Sequence, residues 1–392
     1  MKSISCIDKD KCVGCFACKM ICPRHCIKHQ FDSERLDEYP ALDDKMCINC
    51  GMCIKVCPVA CEKVVSGIDS TFFYLGINTN ALIRHNSTSG GIFYALAQYY
   101  IDKGYYIYGA NLDKEGNVRH ILISNISELY KIIGSKYVRS DITDVFLDIK
   151  NKLNDNKKVL FVGTGCQCEA VKNFINVTLL NKGCNLVTID VVCHGVGKPS
   201  LWMCHYKELI TEFGDINNIN FRDKEIGWRL SGLSFFSFRE KHFFSGNQDP
   251  YINAYAHNLC IRESCYMCLY KGIDRSTDIT LGDAWGINKD TDLNEAEGVS
   301  LIMVHSSEGF KVINELTKLN IIRIKEIENK EAYLRANPCI TKSINRNDNQ
   351  KKFEMDLKQG VEFKKAINTC IQVPLKSRIV SKIKAVLKKL NR

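Results

Sequence analysis

Two cysteine runs near the start of this chain share one spacing, and that spacing restricts what the N-terminal part can fold around. Residues 12–23 read CVGCFACKMICP and residues 47–58 read CINCGMCIKVCP, so both follow C-x2-C-x2-C-x3-C-P. Three thiolates at this spacing wrap one face of an iron–sulfur cubane. Zinc sites usually pair two C-x2-C knuckles across a longer gap, so the duplicated run favours 4Fe-4S clusters over zinc.

This segment resembles bacterial two-cluster ferredoxins, in which the fourth cysteine of each run serves the other cluster. The resemblance implies two 4Fe-4S clusters with exchanged ligands. The first-cluster cysteines are then Cys12, Cys15, Cys18 and Cys57. The second-cluster cysteines are Cys47, Cys50, Cys53 and Cys22. Three more cysteines lie outside this frame, and we expect them to be small buried hydrophobic residues: Cys6, Cys26 and Cys61.

The composition is that of a globular protein that uses its cysteines for metal or redox chemistry. The 392 residues are 45% hydrophobic and 25% charged, which permits about two or three domains. Many of the 21 cysteines cluster in the N-terminal part, as in a reduced cytosolic protein and unlike a secreted disulfide framework. We expect a cytoplasmic protein, because no apolar run reaches about 18 residues and no signal region precedes residue 10.

The net charge of +10 comes largely from the C-terminal end. The body is nearly balanced, so no nucleic-acid partner is expected. Residues 375–392 place apolar side chains at helical spacing with lysines between them, which predicts a basic amphipathic helix. Such a helix either lies on an anionic surface at the inner face of the membrane, as a peripheral contact, or packs on the body with its lysines in solvent.

Strand-like and helix-like segments alternate after the cysteine-rich part, which indicates an α/β or α+β body. A short linker is predicted at residues 66–70. The predicted strands are residues 105–110, 159–162, 186–192 and 278–281. The predicted helices are residues 92–101 and 200–213.

Small and polar residues follow or precede these elements at places typical of ligand loops. Residues 86–91, NSTSGG, precede a predicted helix, where free backbone N–H groups favour an anion such as phosphate. An ordinary Ser/Thr N-cap produces the same pattern. Residues 162–168 and 191–195 each end a predicted strand, and α/β proteins often bind ligands there.

Cysteines in the body are candidates for a further metal centre. Cys265 and Cys268 form a knuckle that needs two more ligands, and the nearest supply at strand ends is Cys166 and Cys193. These four could hold a third 4Fe-4S cluster, with Cys260 competing for any one position. The other interpretation is that Cys166 and Cys193 are buried free thiols. The spacing C-x4-C-x2-C differs from the C-x3-C-x2-C of radical S-adenosylmethionine enzymes, which argues against that class.

Five segments, in order, resemble the coenzyme F420 hydrogenase/dehydrogenase beta subunit family: residues 87–91, 163–167, 193–195, 221–228 and 265–286. The resemblance covers about residues 70–310. It implies FAD, one 4Fe-4S cluster, and electron transfer between flavin and a hydride carrier, which is the deazaflavin in some members. The fusion to a two-cluster ferredoxin domain resembles the input subunit of F420H2 dehydrogenases.

The resemblance also assigns residues. The third-cluster cysteines would be Cys166, Cys193, Cys265 and Cys268. The FAD-binding residues would be Ser87, Thr88, Ser89, Gly90, Gly91, Lys136 and Arg139. The alternatives are a solvated loop at Lys136 and Arg139, a structural role for His194, and packing roles for Trp228 and Trp285.

One position departs from the family pattern. The family usually shows Gly-Thr-Pro-Cys, whereas this chain has glycine at position 165, before Cys166. Glycine lacks the fixed φ of proline, so this turn is expected to be looser.

The predicted fold class is α+β, with a small two-cluster ferredoxin domain followed by a larger mixed α/β flavin and iron–sulfur domain and a helical C-terminal tail. The predicted divisions are 1–66 (ferredoxin-type domain), 71–310 (FAD and iron–sulfur domain), 311–374 (helical extension) and 375–392 (basic helix).

The predicted function is that of an FAD- and iron–sulfur-dependent oxidoreductase. It would pass electrons between the clusters and a hydride carrier, deazaflavin or nicotinamide, or a small-molecule substrate, with a redox partner protein or ferredoxin at the other end. The alternative is a non-catalytic electron-transfer adaptor that feeds a separate reductase, for example in polysaccharide biosynthesis.

Overall fold

The computed structural model describes residues 3–61, 71–179, 185–287, 293 and 295–371. The predicted linker at residues 66–70 and the predicted basic helix at residues 375–392 lie outside the described residues. No helix within the described ranges is long and apolar enough to cross a membrane.

The elements follow the chain in this order. The strands are β1 (Ile27–Asp32), β2 (Asp37–Leu42), β3 (Phe72–Asn78), β4 (Tyr105–Leu112), β5 (Val118–Ile123), β6 (Lys158–Thr164), β7 (Leu186–Val191), β8 (Ile216–Asp223), β9 (Gly232–Ser237), β10 (Glu240–Ser245), β11 (Ile279–Asp283), β12 (Ser300–Val304) and β13 (Ile322–Glu326). The α-helices are α1 (Ala17–Ile21), α2 (Met52–Lys55), α3 (Ala81–Asn86), α4 (Ile92–Asp102), α5 (Val145–Asn154), α6 (Gly165–Thr178), α7 (Pro199–Phe213), α8 (Pro250–Ala256), α9 (Ser307–Lys318), α10 (Lys330–Ala336), α11 (Gln350–Lys358) and α12 (Phe363–Cys370). All the strands and helices predicted in the body are confirmed, with ends that differ by a few residues.

The N-terminal unit is built from one hairpin and two short helices. Strands β1 and β2 pair antiparallel, and α1 and α2 lie inside the two cysteine runs. Each helix starts after a residue with positive φ, Phe16 at 57° and Gly51 at 73°. These left-handed residues turn the chain sharply between two cysteines of each run, and the cysteine that follows on the helix, Cys18 or Cys53, is buried.

The body is organised around an eight-stranded mixed sheet with the order β13-β3-β12-β11-β7-β6-β4-β5. Strands β4, β6, β7 and β11 are parallel neighbours, and the other pairs are antiparallel. The carboxyl ends of the parallel strands therefore meet at one edge of the sheet. The segments after β6, β7 and β11 all lie at this edge.

Helices cover both faces of the sheet, because successive residues of a buried strand point to opposite sides. Ile107 and Leu160 pack with α4 and α9 on one face. Tyr108 and Phe161, the next residue along each strand, pack with α5 and α6 on the other. Ala17 of the N-terminal unit reaches the core beneath α5 and α6, so the N-terminal unit and the body share buried apolar surface.

A second apolar core lies outside the large sheet. It joins α7, α8, α11 and α12 to the three-stranded sheet β10-β9-β8. The fully buried Trp202 is at its centre, and its indole N–H donates to the Gly116 carbonyl at 2.8 Å. Residues 260–268 leave this core and run towards the N-terminal unit, which positions the Cys265 knuckle.

The structure differs from the predicted division at residue 310. The predicted helical extension, residues 311–374, contains β13, and β13 pairs with β3 in the large sheet. The sheet therefore continues past the predicted boundary. Its sequence, IRIKE, alternates apolar and charged residues because β13 is an edge strand with one solvent-exposed side. The helical pattern of the surrounding sequence obscured this strand.

The α5 layer yields a stability test. Phe146 is completely buried, whereas its neighbour Leu147 is 42% exposed. We expect Phe146→Ala to lower the free energy of unfolding by about 3–5 kcal/mol, because it leaves a cavity in the core. Leu147→Ala, the matched control, should leave it nearly unchanged. Anaerobic urea unfolding followed by circular dichroism measures both, and equal losses would contradict this account of the packing.

Candidate metal centres

The four second-cluster cysteines surround one cavity. Its lining includes Cys47, Cys50 and Cys53 from the second run together with Cys22 from the first. Cys26 also lines this cavity, and the position of Cys22 beside the three cysteines of the second run is compatible with the predicted exchange. Asn49 and Gly51 both have positive φ, at 54° and 73°, and bend the loop around this cavity. Cys50 is exposed, so this centre lies at the protein surface.

The four first-cluster cysteines also lie together, and deeper in the protein. Burial raises the pKa of Cys15 far above its usual value, and the nearby Cys57 and Cys12 raise it further. Burial likewise raises the pKa of Cys18, with further contributions from Cys15, Cys12 and Cys57. Thiols this close share one site. Four neighbouring thiols suit a cluster that takes them as thiolates and disperses their charge over its iron and sulfur atoms.

The geometry does not favour zinc. Across residues 3–61, 71–179, 185–287 and 295–371, no three His, Cys, Asp or Glu side chains are placed to hold a single metal ion. Zinc needs its ligand atoms at about 2.0–2.3 Å from one point. The second-cluster cysteines instead line a cavity, which suits a polynuclear group.

The cysteines outside the two runs have different environments. Cys26 is buried, with its sulfur 3.3 Å from that of Cys22, as expected of a small buried residue. Cys61 is half-buried, and its thiol lies 3.1 Å from the Lys55 carbonyl oxygen. Cys6 is exposed, so its predicted burial is wrong. It is the last residue of the 3-10 turn Ile4–Cys6.

In the body, three separate segments bring the third-cluster cysteines to the carboxyl edge of the large sheet. Cys166 is in the first turn of α6, directly after β6, and Cys193 follows β7. Cys265 and Cys268 lie at the 3-10 turn Glu263–Met267 and just after it. A Cβ added at Gly195 would lie 3.3 Å from the Cβ of Cys265, so the β7 loop and the knuckle are in contact.

Further contacts hold the segments that carry the third-cluster cysteines together. The Lys271 ammonium donates to the Cys193 carbonyl at 2.5 Å, which fastens the β7 loop to the segment after the knuckle. Burial raises the pKa of Cys166 to about 11, and Cys268 adds to the rise. Burial raises that of Cys193 well above its usual value, with a further contribution from Cys265. The four cysteines are thus neighbours in space although three different segments supply them.

The glycine that replaces the family's proline does not loosen this turn. Gly165 is the first residue of α6, and Thr164 caps the helix in a reciprocal arrangement with Gln167. The first helical position is where proline is most readily accepted, because its missing N–H has no partner there in any case. The cap holds the backbone in place without proline, so Cys166 keeps its position at the helix start.

The competing cysteine, Cys260, lies elsewhere. It is completely buried in the second apolar core. Burial raises its pKa to about 12, and the groups that act on it are Lys198, Tyr251 and Glu354, with no other cysteine among them. The geometry therefore groups Cys265 and Cys268 with Cys166 and Cys193, and leaves Cys260 in the core.

The two loops predicted to line a flavin are adjacent. The Ser135 N–H donates to the Thr88 hydroxyl at 3.1 Å. Gly91, with φ at 82°, is the N-cap of α4 and offers no side-chain acceptor to the first N–H groups of that helix. A Cβ at Gly90 would lie only 2.3 Å from the Gly76 carbonyl oxygen, so this position needs glycine for packing alone.

Several polar groups of these loops already have protein partners. The Ser87 hydroxyl donates to the Ile83 carbonyl at 2.7 Å, and the Ser89 hydroxyl to the Val299 carbonyl at 2.8 Å. The Lys136 ammonium donates to the carbonyls of residues 131 and 133, and burial lowers its pKa to about 7. These contacts shape the loops, and the contact of residues 87–91 with FAD stays a prediction.

Arg139 lies away from these loops. Its side chain is 5% exposed and lies between the body and the N-terminal unit, where it donates to the Gly14 carbonyl at 3.0 Å. It also pairs with Asp37 at 3.4 Å. Its predicted contact with FAD stays a prediction, and the structure gives it a different set of partners.

The remaining candidates have structural partners. The Trp228 and Trp285 rings stack at 4.4 Å between centroids, which agrees with packing roles. His194 Nε2 lies 2.7 Å from the Asn258 side-chain oxygen, and burial lowers its pKa.

One functional side chain was missed. The buried Lys224 ammonium donates to the carbonyls of Arg84 at 2.7 Å and Ser89 at 3.1 Å. It thereby fastens the loop of residues 87–91, the Ser/Gly loop. It lies in the 221–228 segment that the family resemblance had marked, but nothing local distinguishes it from a surface lysine.

Family comparisons agree with this geometry. Residues 11–61 match the model of a 4Fe-4S dicluster domain. Residues 156–330 match the model of the C-terminal part of the coenzyme F420 hydrogenase/dehydrogenase beta subunit. The chain therefore contains a segment similar to each family, the dicluster domain (residues 11–61) and the beta-subunit domain (residues 156–330). Together the matches support an iron–sulfur oxidoreductase.

The beta-subunit domain includes all four third-cluster cysteines, and the dicluster domain includes all eight ferredoxin cysteines. Residues 87–91 and 134–140 precede the matched part of the beta-subunit domain, so their flavin role rests on the resemblance alone. The chain is also similar to a chain in the xenon-derivatised F420-reducing [NiFe] hydrogenase complex from Methanosarcina barkeri, at 14% identity and a TM-score of 0.47, over 76% of this chain and 97% of that one. No curated protein matches this chain.

The dicluster domain yields a test of ligand identity. We expect the Cys50→Ala/Cys53→Ala variant to lose about four irons per chain, because one cluster loses two of its four thiolates. Iron and acid-labile sulfide, measured after anaerobic reconstitution, report this loss. The control Cys6→Ala/Cys61→Ala removes two cysteines outside the runs and should keep the full iron content. A comparable loss in the control would overturn the ligand assignment.

Proposed function

We propose that this chain is an iron–sulfur flavoprotein that passes electrons between a redox partner protein, or ferredoxin, and a hydride carrier or small-molecule substrate. The observation that carries the proposal is the convergence of Cys166, Cys193, Cys265 and Cys268 at the carboxyl edge of the sheet, where α/β proteins commonly bind cofactors. This group would hold a third 4Fe-4S cluster, inside the beta-subunit domain.

The three cysteine groups follow one another through the protein. Cys50 of the second cluster is exposed, so this end is open to a partner. Cys53 and Cys18 are close enough to interact, which supports side-by-side positions for the first and second clusters. Cys15 interacts in turn with Cys166 across the contact between the two domains. This order supports an electron path from the surface to the interior of the beta-subunit domain.

Tyr270 lies between the first and third groups. Its hydroxyl donates to the Pro58 carbonyl at 2.5 Å, next to Cys57, and its backbone N–H donates to the Cys268 sulfur at 3.4 Å. One residue therefore ties the first-cluster loop to the knuckle of the third. Such a bridge keeps the distance between the two centres constant.

The second part of the proposal concerns FAD. Bound FAD would supply the conversion between two-electron hydride transfer and single-electron transfer. The N-terminus of α4 would place backbone N–H groups towards its phosphates. Lys224 would hold the Ser/Gly loop in position from behind, through the carbonyls of Arg84 and Ser89.

Metal content tests the third cluster. We expect the reconstituted protein to hold about twelve irons and the Cys166→Ala/Cys193→Ala variant about eight, since each 4Fe-4S cluster contributes four. The control Cys168→Ala/Cys260→Ala removes two completely buried thiols outside the group and should keep all twelve. Eight irons in the unmodified protein would refute the third cluster and leave the dicluster domain unaffected.

Anaerobic mixing with reduced carriers tests the flavin. We expect the purified protein to hold about one FAD per chain, and one of reduced deazaflavin, NADH or NADPH to bleach its absorbance. The carrier that does so identifies the substrate class. Absence of flavin, or no bleaching by any of the three, would instead favour the electron-transfer adaptor that feeds a separate reductase.

A further inference from the structure

A buried charged contact joins the dicluster domain to the beta-subunit domain. Asp37 is the first residue of β2, and its carboxylate is 1% exposed. It pairs with the guanidinium groups of Arg262, which is completely buried, and of Arg139, which is 5% exposed. Ion pairs this deeply buried carry a large desolvation cost, so a merely adhesive contact would be made more cheaply by apolar residues.

Arg262 holds the backbone of the first-cluster loop. Its Nε donates to the Cys12 carbonyl at 2.9 Å, and one terminal nitrogen donates to the Glu38 carbonyl at 3.2 Å. A Cβ at Gly14 would lie 2.9 Å from its central carbon, so the loop passes directly over the guanidinium plane. The centroid of the Tyr39 ring lies 4.4 Å from the same guanidinium carbon.

Arg139 holds the same loop from a second point, through its hydrogen bond to the Gly14 carbonyl at 3.0 Å. Both guanidinium groups therefore contact the loop that carries Cys12 and Cys15. Arg262 is also three residues from Cys265, and it opposes the rise in the pKa of that thiol, which burial brings to about 12. The two cations thus lie where the first cluster faces the beta-subunit domain.

The charges do not cancel within the buried region. Two guanidinium groups share the one buried carboxylate of Asp37, which Arg262 and Arg139 keep ionised by lowering its pKa against the effect of burial. Two further carboxylates act on Arg139: Glu38, which is 46% exposed and 3.7 Å away, and Asp141, which is also exposed, so solvent screens much of their charge. An excess of positive charge therefore remains beside the first-cluster cysteines.

We propose that Arg262, with Arg139, is a positioning residue whose charge raises the reduction potential of the first cluster. The step is the addition of one electron to that cluster, with no bond broken and no proton moved, and it makes the cluster more negative by one charge. A fixed cation at the ligand loop stabilises the reduced state, since net charge and hydrogen bonding near a cluster set its potential. Electrons that enter at the exposed second cluster would then be drawn inward.

A charge cycle tests the proposal on the cluster-loaded protein. Arg262→Gln removes the cation, Asp37→Asn removes the anion, and the double variant removes both. Redox titration with dithionite and mediators, followed by electron paramagnetic resonance, gives the potential of the first cluster, identified as the ferredoxin-type signal that persists in Cys50→Ala/Cys53→Ala.

We expect Arg262→Gln to lower the equilibrium constant for one-electron reduction at least tenfold, which corresponds to about 59 mV. Asp37→Asn should raise it, and the double variant should lie close to the unmodified protein. Arg262→Lys, which keeps the charge, should restore most of the loss. The second cluster is the internal control and should shift less in every variant.

Shifts of the same sign in both single variants, or an unchanged potential in Asp37→Asn, would overturn the proposal and leave Arg262 a structural residue. If Arg262→Gln fails to load clusters, Asp37→Asn and Arg262→Lys still decide the question, because each keeps a cation at the loop. The inference rests on the dicluster domain and not on FAD. It can therefore fail or succeed independently of the flavin experiment.

Discussion

A 4Fe-4S cluster needs four thiolates around one cavity, and the fold of this protein follows from that requirement. Within the dicluster domain, residues with positive φ such as Phe16 and Gly51 turn each cysteine run around its own centre. One cysteine of each run crosses to the other centre, so neither half can close without its partner. The hairpin β1–β2 then has a fixed position, and it carries Asp37 to the contact with the beta-subunit domain.

The proposed third cluster would meet the same requirement differently, in the beta-subunit domain. There no single run supplies enough cysteines, and parallel strands bring their carboxyl ends to one edge instead. Cys166 and Cys193 come from the ends of β6 and β7, while the knuckle arrives on a segment that leaves the second apolar core. The helix cap at Thr164 and the bond from Lys271 to the Cys193 carbonyl hold these loops without requiring proline.

The contact between the domains combines packing with charge. Ala17 and Val56 join the apolar core under α5 and α6, which fixes the relative position of the two parts. Arg262 and Arg139 supply charge where the first-cluster loop faces the segment before the knuckle. Two deeply buried cations thus lie beside the loop of the proposed first cluster, which would become more negative on reduction.

Local spacing made part of this protein predictable. The eight ferredoxin cysteines could be assigned from the sequence because all the ligands of a dicluster domain lie in two short runs. Four strands and two helices of the body followed from periodicity. Others did not, among them β13, an edge strand whose alternating charged residues lie within a largely helical region. Gly165 shows the limit of motif comparison, since the missing proline suggested a looser turn that the cap at Thr164 prevents.

The sequence by itself determined the dicluster domain, because its cysteine spacing is encoded in neighbouring residues. Only the tertiary structure decided that Cys260 is a core residue while Cys265 lies beside Cys193, and that Arg139 pairs with Asp37. The partners in these contacts are far apart in the chain, and no local pattern records which strand ends meet or which buried charges pair. The decision is made by packing and by the desolvation of those charges, which exist only once the chain is folded.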